Sequence, residues 1–163
     1  MASVQRLNHA VLWVRDASRS AQFYCEVLDF EVASDVGPGQ AVFLHAKGSG
    51  NHHDLGLFSV GASAAVPAPR SLGLYHLAWQ VDTIDELVEI QERLRSRNAI
   101  VGASDHGVSK SLYGVDPDGI EFEVVWMVPR ASWEDDKTAT LDLVAEVQRW
   151  SGVATAAESS QRI

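Results

Sequence analysis

The chain has one cysteine, few basic residues and no long apolar run, and each shortage closes off a class of protein. A single cysteine, Cys25, in 163 residues excludes an intrachain disulfide and fits a reducing compartment. No histidine lies near it in sequence to activate it, so Cys25 is expected to be a small side chain packed in a helix. Only 13 Lys and Arg stand against 22 Asp and Glu, a formal charge of −9, and the bases form no run. A surface of that sign is unsuited to nucleic acid or to an anionic membrane. No stretch approaches the roughly 18 apolar residues of a membrane span, and the opening MASVQRLNHAVLWV has an apolar run too short for a signal sequence. A cytoplasmic protein without nucleic-acid or membrane partners is expected.

Hydrophobic residues make up 46% of the chain, enough to bury a substantial core in one domain. Residues 7–15 (LNHAVLWVR) alternate and read as a strand. Asp16 is a good N-cap for a helix over 17–28, with Ala21, Phe23, Tyr24, Val27 and Leu28 at helical spacing. Three strands follow, at 29–35, 40–46 and 54–60, separated by the turn stretches GPG and KGSGNHH. After the connector GASAAVPAPRS the same order returns: a strand at 74–82, an amphipathic helix, and strands at 99–104, 109–115 and 120–127. The chain is β-α-β-β-β written twice, with a period near 67 residues.

The expected fold is therefore α+β. A single domain over 1–130 holds two βαβββ modules, about 5–62 and 72–128, forming one open barrel-like cleft. A C-terminal helix over 131–150, with Ser132 as its N-cap, and a mobile tail over 151–163 complete it.

Aligning the two copies sets His9 in LNHAVL against His76 in LYHLAW. Two modules related by a pseudo-twofold would point both imidazoles into one cleft, which is a metal-site arrangement. In IEFEVVWM the period of two puts Ile120, Phe122, Val124 and Trp126 on the face under the helices, and Glu121, Glu123, Val125 and Met127 on the other. Either glutamate would complete a set of two imidazoles and one carboxylate, the ligand pattern suited to Fe(II) that must also hold substrate and O2. Trp13, on the face of His9, and Trp79 or Phe58 could wall an aromatic pocket, but the core is their expected place; His45 is expected to be a structural residue.

With these residues the chain resembles the vicinal oxygen chelate superfamily, the fold of glyoxalase I, fosfomycin-resistance enzymes and extradiol dioxygenases, over about residues 5–128. In that superfamily the last-strand ligand sits four residues after the Gly of a DPDG-type turn, which implies Glu123 rather than Glu121. The signature of the type I extradiol (catechol 2,3-dioxygenase-like) ring-cleaving enzymes is similar to His106, Leu112-Tyr113, Asp116-Pro117-Asp118-Gly119 and Glu123 as they stand here. Ser104 departs from it, since the pattern prefers Gly, Asn, Thr or a β-branched aliphatic there. NHHDLGL resembles the strand whose histidine acts on substrate and oxygen, which implies His53 and leaves His52 to solvent.

The resemblance implies an Fe(II)-dependent extradiol dioxygenase that opens a catechol-type ring with O2; Mn(II) suits the same ligands. His9, His76 and Glu123 would hold the metal, and His53, His106 and Tyr113 would be catalytic. Three alternatives stay open: a glyoxalase-like isomerase, a fosfomycin-type transferase and an aromatic-ligand binding module. The isomerase uses a second carboxylate from the fourth strand of the first module, where this chain has DLGLFSV and no Glu. The transferase would not need His53, His106 and Tyr113. A single pair of modules leaves the cleft short of walls, so a homodimer or higher homo-oligomer is expected.

Overall fold

A computed structural model describes residues 2–66, 68, 70–134 and 138–155. The elements run β1 (Ala10–Val14), α1 (Ala17–Leu28), β2 (Glu31–Val36), β3 (Ala41–His45), β4 (Leu55–Ser59), β5 (Leu77–Val81), α2 (Ile84–Ser96), β6 (Ile100–Asp105), β7 (Ser109–Val115), β8 (Glu121–Met127), a 3-10 turn (Arg130–Ser132), β9 (Ala139–Thr140) and α3 (Leu143–Trp150). The fold is α+β, with one sheet in the order β1-β4-β3-β2 and another in the order β5-β8-β7-β6-β9. Two compact units are present: Met1–Ser71 with the turn Asp116–Gly119, and Leu72–Val115 with Ile120–Ile163. No helix of the described residues is long and apolar enough to cross a membrane.

Local chemistry explains both long helices. Asp16 accepts from the Arg19 N–H at 2.9 Å and caps α1, which buries Ala17, Ser20, Ala21, Phe23, Tyr24 and Val27 on one face. At α2, Thr83 and Glu86 form a capping box: Thr83 Oγ1 accepts from the Glu86 N–H, and Glu86 Oε2 accepts from the Thr83 N–H at 3.0 Å. Ile84, Leu87, Ile90 and Leu94 are the face it buries.

The repeat extends to the register of the strands. In the first unit β1 runs parallel to β4 with Val11 opposite Gly56, and β3 sets Phe43 against the same glycine. In the second, β5 runs parallel to β8 with Ala78 opposite Glu123, and β7 sets Tyr113 against that glutamate. Both units carry a bulge at the corresponding place, between Val32 and Ser34 in β2 and between Ile100 and Gly102 in β6. Gly56 therefore corresponds to Glu123, Phe43 to Tyr113 and His9 to His76.

Three expectations change. Both first strands are shorter than their alternation suggests, so His9 and His76 each sit one residue before β1 and β5 rather than inside them. The C-terminal helix does not start at Ser132: that residue ends a 3-10 turn, and α3 begins at Leu143 behind an Asp142 cap whose side chain accepts from the Ala145 N–H at 3.1 Å. Residues 135–137 of the expected helix lie outside the described residues, and beyond them Ala139–Thr140 form the short strand β9, paired with β6. The segment 151–163, expected to be mobile, is held at the end of its described part, where Thr155 is buried and its N–H donates to Asp82 Oδ1 at 3.0 Å; residues 156–163 lie outside the described residues.

The DPDG turn between β7 and β8 is structural. Gly119 sits at φ 82°, which a side chain would resist, and its N–H donates to the Asp116 carbonyl at 3.0 Å. Asp118 accepts from the Arg15 N–H at 2.7 Å and pairs with the Arg15 and Arg19 guanidinium groups. Asp116 accepts from the buried Tyr24 hydroxyl at 3.5 Å; burial, and then the Asp116 charge, push that phenol well above its usual pKa.

Candidate metal centre and active site

In the second unit one sheet face gathers four of the candidate residues. The burial of β8 alternates, with Phe122, Val124 and Trp126 buried and Glu121, Glu123, Val125 and Met127 half-buried on the other face. From that face Glu123 Oε2 reaches His76 Nε2 at 3.1 Å. Tyr113, opposite Glu123, lies with its ring 5.8 Å from the His76 ring and shares a 2.9 Å hydrogen bond between its hydroxyl and His106 Nε2. Burial, then the Glu123 charge, raise the Tyr113 pKa, so the phenol keeps its proton at neutral pH.

His106 owes its place to a hairpin tip that is longer than its counterpart in the first unit. There the strands close at Val36 opposite Ala41, while β6 and β7 continue to Asp105 opposite Lys110. The added tip turns through Gly107 at φ 74°, and the His106 N–H donates to the Ser109 carbonyl at 2.9 Å.

In the first unit the face holding Phe43 and Gly56 carries the remaining candidates. The His9 and His53 ring centroids are 4.7 Å apart, and His53 packs on Phe43 at 5.0 Å. Phe43 meets Phe58 at 5.7 Å and Phe58 meets Trp13 at 5.7 Å, so an aromatic strip runs on from the two imidazoles. Trp13 is 70% exposed, which corrects its expected place in the core: on β1 it shares its face with Val11, while Leu12 and Val14 point to the helix side. Where the second unit has Glu123, the first has Gly56, and a Cβ there would lie 3.3 Å from the Phe43 ring, a contact tight enough that the ring would have to give way. Desolvation, then the nearby His9 and His52, lower the His53 pKa and favour its neutral form.

Sequence reasoning overlooked the residue that fixes the His52-His53 loop. Asp54, buried, accepts from the Ala46 N–H at 2.8 Å, Ser49 Oγ at 2.7 Å and Asn51 Nδ2 at 2.8 Å. Asn51 Nδ2 also donates to the Asn8 carbonyl at 2.7 Å, tying the loop to the residue before His9. The signal was there: an Asp following Ser49 and Asn51 in a polar loop is an Asx-type anchor. Burial pulls the Asp54 carboxyl upward, but these donors and His45 outweigh it and hold it below its ordinary 3.8. Its stabilisation is therefore complete above pH 3.8 and lost as pH falls through the lower folded value. Asp54→Ala is expected to cost about 2 kcal/mol near neutrality, about 5 °C in Tm, with the gap to wild type closing in acid. Thermal unfolding followed across pH checks this; a gap that stays constant into acid would contradict it.

The donors suit a divalent ion. His76 Nε2 and Glu123 Oε2 stand 3.1 Å apart, close enough for one ion to be reached by both. His76 Nδ1 is buried without a hydrogen-bond partner, and an imidazole beside a carboxylate is a donor set that borderline divalent metals take. Of the two glutamates on the β8 face, Glu123 is the one paired with His76. Among the described residues no group of three or more His, Cys, Asp or Glu side chains is gathered as a metal site. The pairs brought together are His76 with Glu123 and His9 with His53.

The chain belongs to the glyoxalase/bleomycin resistance protein/dioxygenase superfamily, whose family model matches residues 6–124. It is 35% identical over 132 residues to a catechol-2,3-dioxygenase of Bacillus subtilis (strain 168), a match covering 80% of this chain and 45% of that protein. It is 28% identical over 143 residues to biphenyl-2,3-diol 1,2-dioxygenase 2 of Rhodococcus globerulus, covering 87% of this chain and 72% of that one. The chain thus spans less than half the length of the Bacillus relative. A glyoxylase/bleomycin resistance protein/dioxygenase domain from Frankia sp. EAN1pec superposes with a TM-score of 0.62 at 25% identity, covering 77% of this chain and all of that one.

Proposed function

We propose that the protein is an extradiol dioxygenase that opens the ring of a catechol-type substrate with O2, using Fe(II). The observation that carries the reading is the face of the second sheet, where the His76–Glu123 pair stands beside Tyr113 and its hydrogen-bonded partner His106. The dioxygenase relatives and the aromatic strip leading to His53 support it. In this reading His76, Glu123 and His9 are the protein's ligands. Fe(II) held by these residues would supply positive charge that favours a deprotonated catechol and lowers its pKa values.

This chain's own groups do the remaining work. Neutral His53 accepts a proton from a catechol hydroxyl and later returns it to the ring-opening oxygen. The Tyr113 hydroxyl, protonated at neutral pH and oriented by His106, donates to oxygen on the substrate. The aromatic strip through Phe43 and Phe58 offers a flat apolar wall to the ring. The reaction balances as catechol plus O2 giving a ring-opened hydroxymuconic semialdehyde. A glyoxalase-type isomerase with a second carboxylate is disfavoured because Gly56 stands at the position of Glu123 in the repeat, against Phe43.

Anaerobic loading with Fe(II), addition of catechol and substituted catechols, and admission of oxygen test the reading. A yellow product with matching O2 uptake is expected; metal-loaded protein with neither would reject it. We also propose that the chain works as a homodimer, for which light scattering at micromolar concentration should give twice the chain mass, and a monomer mass would reject it.

A further inference from the structure

Behind the His106 turn, on the side away from Tyr113, lies a buried ionic cluster with no part in the chemistry above. Lys110 Nζ lies 2.5 Å from Asp105 Oδ1 and 3.4 Å from Glu146 Oε1, with side-chain exposures of 4% for Lys110, 8% for Asp105 and 15% for Glu146. Lysine is almost never buried this far unless paired, and removing two carboxylates and an ammonium from water costs more than it returns unless geometry is gained. The geometry gained is that of the turn. Asp105 Oδ1 also accepts from the Gly107 N–H at 2.8 Å, so one carboxylate oxygen holds the residue after His106 and the lysine together.

Glu146 comes from outside the region that the family model matches, which ends at residue 124. The added chain grips the same place twice. β9 pairs with the edge of β6 so that Ala139 stands opposite Asp105 and Thr140 opposite Ser104, directly before His106. α3 then brings Glu146 to Lys110, its other carboxylate oxygen accepting from Trp150 Nε1 at 3.0 Å. The far end of α3 is fastened to α2: Asp85 accepts from Ser151 Oγ at 2.8 Å and from the Gly152 N–H at 2.7 Å.

We propose that segment 139–152 is a built-in clamp on the His106 turn, with Glu146 and Lys110 as positioning residues that hold the His106 imidazole on Tyr113. That His106 matters for turnover rests on the proposed dioxygenase reading; that the clamp fixes its imidazole does not.

The test is the imidazole nitrogen signature of His106 by NMR in the full chain labelled at histidine, assigned with His106→Gln. In wild type one fixed, hydrogen-bonded tautomer is expected. In Glu146→Ala the His106 nitrogens should move to the averaged shifts of an unrestrained ring while those of His9, His52 and His53 stay put. Glu89→Ala, which removes the same charge from an exposed pair with Arg93 on α2, should change none of them. If the dioxygenase reading holds, kcat of Glu146→Ala falls by up to about 100-fold at unchanged metal content. A folded Glu146→Ala with the wild-type His106 signature overturns the clamp, whatever the activity. Should that variant not fold, native-state hydrogen exchange of the wild-type chain decides. The Gly107 and Glu146 amides should exchange through one shared opening as denaturant rises, and Gly107 staying protected while α3 exchanges overturns the proposal.

Discussion

Glu123→Gln is expected to lower the affinity for Fe(II) by more than 100-fold and to remove turnover while leaving the fold in place. The side chain is 12% exposed and pairs with His76 Nε2 at 3.1 Å, and on the proposed reading its carboxylate would supply charge to the metal. Changes to residues merely behind metal ligands cost roughly 10- to 100-fold in affinity, and loss of a ligand's charge should cost more. Glutamine keeps the shape against Tyr113, so unfolding of the metal-free protein should shift little. Equilibrium dialysis with metal analysis, beside a thermal unfolding curve of the metal-free variant, checks both halves. Wild-type metal affinity in the variant would remove Glu123 from the ligand set.

His53→Ala should act in the opposite way, keeping the metal and losing the chemistry. A positioned proton-transfer group contributes about 10²- to 10⁴-fold, and a drop in kcat of that size is the expected result. The ring packs on His9 and Phe43 and is half-exposed, so its removal opens space at the surface and leaves no buried charge unpaired. Steady-state kinetics on protein of measured metal content separates the two effects. A fall in activity fully explained by lost metal would reassign His53 to the metal's surroundings.

Much of this was legible because it is written twice. The repeat, the Asp16 cap, the alternation of β8 and the 67-residue spacing of His9 and His76 follow from local pattern. Local pattern also misled at the start of α3: Ser132 before an acidic stretch looks like a helix start, but Ser132 ends a 3-10 turn and the cap of α3 is Asp142. Trp13 was misjudged because hydrophobicity says nothing about which side of a sheet is covered. The cluster of Asp105, Lys110 and Glu146 was invisible for a related reason. A lysine in a strand reads as solvated, and its second partner lies 36 residues away on an element whose boundaries were wrong. Asp118 paired with Arg15 across 103 residues is the same kind of contact, set by tertiary structure alone.

The reaction itself can be read from where the atoms of O2 go. With the Fe(II)-loaded protein, catechol and ¹⁸O2 in ordinary water, mass spectrometry of product trapped before exchange should show both labelled atoms in the ring-opened semialdehyde, one O2 consumed per catechol. Product carrying no label, or an aromatic ring left intact with metal bound, would contradict the dioxygenase account.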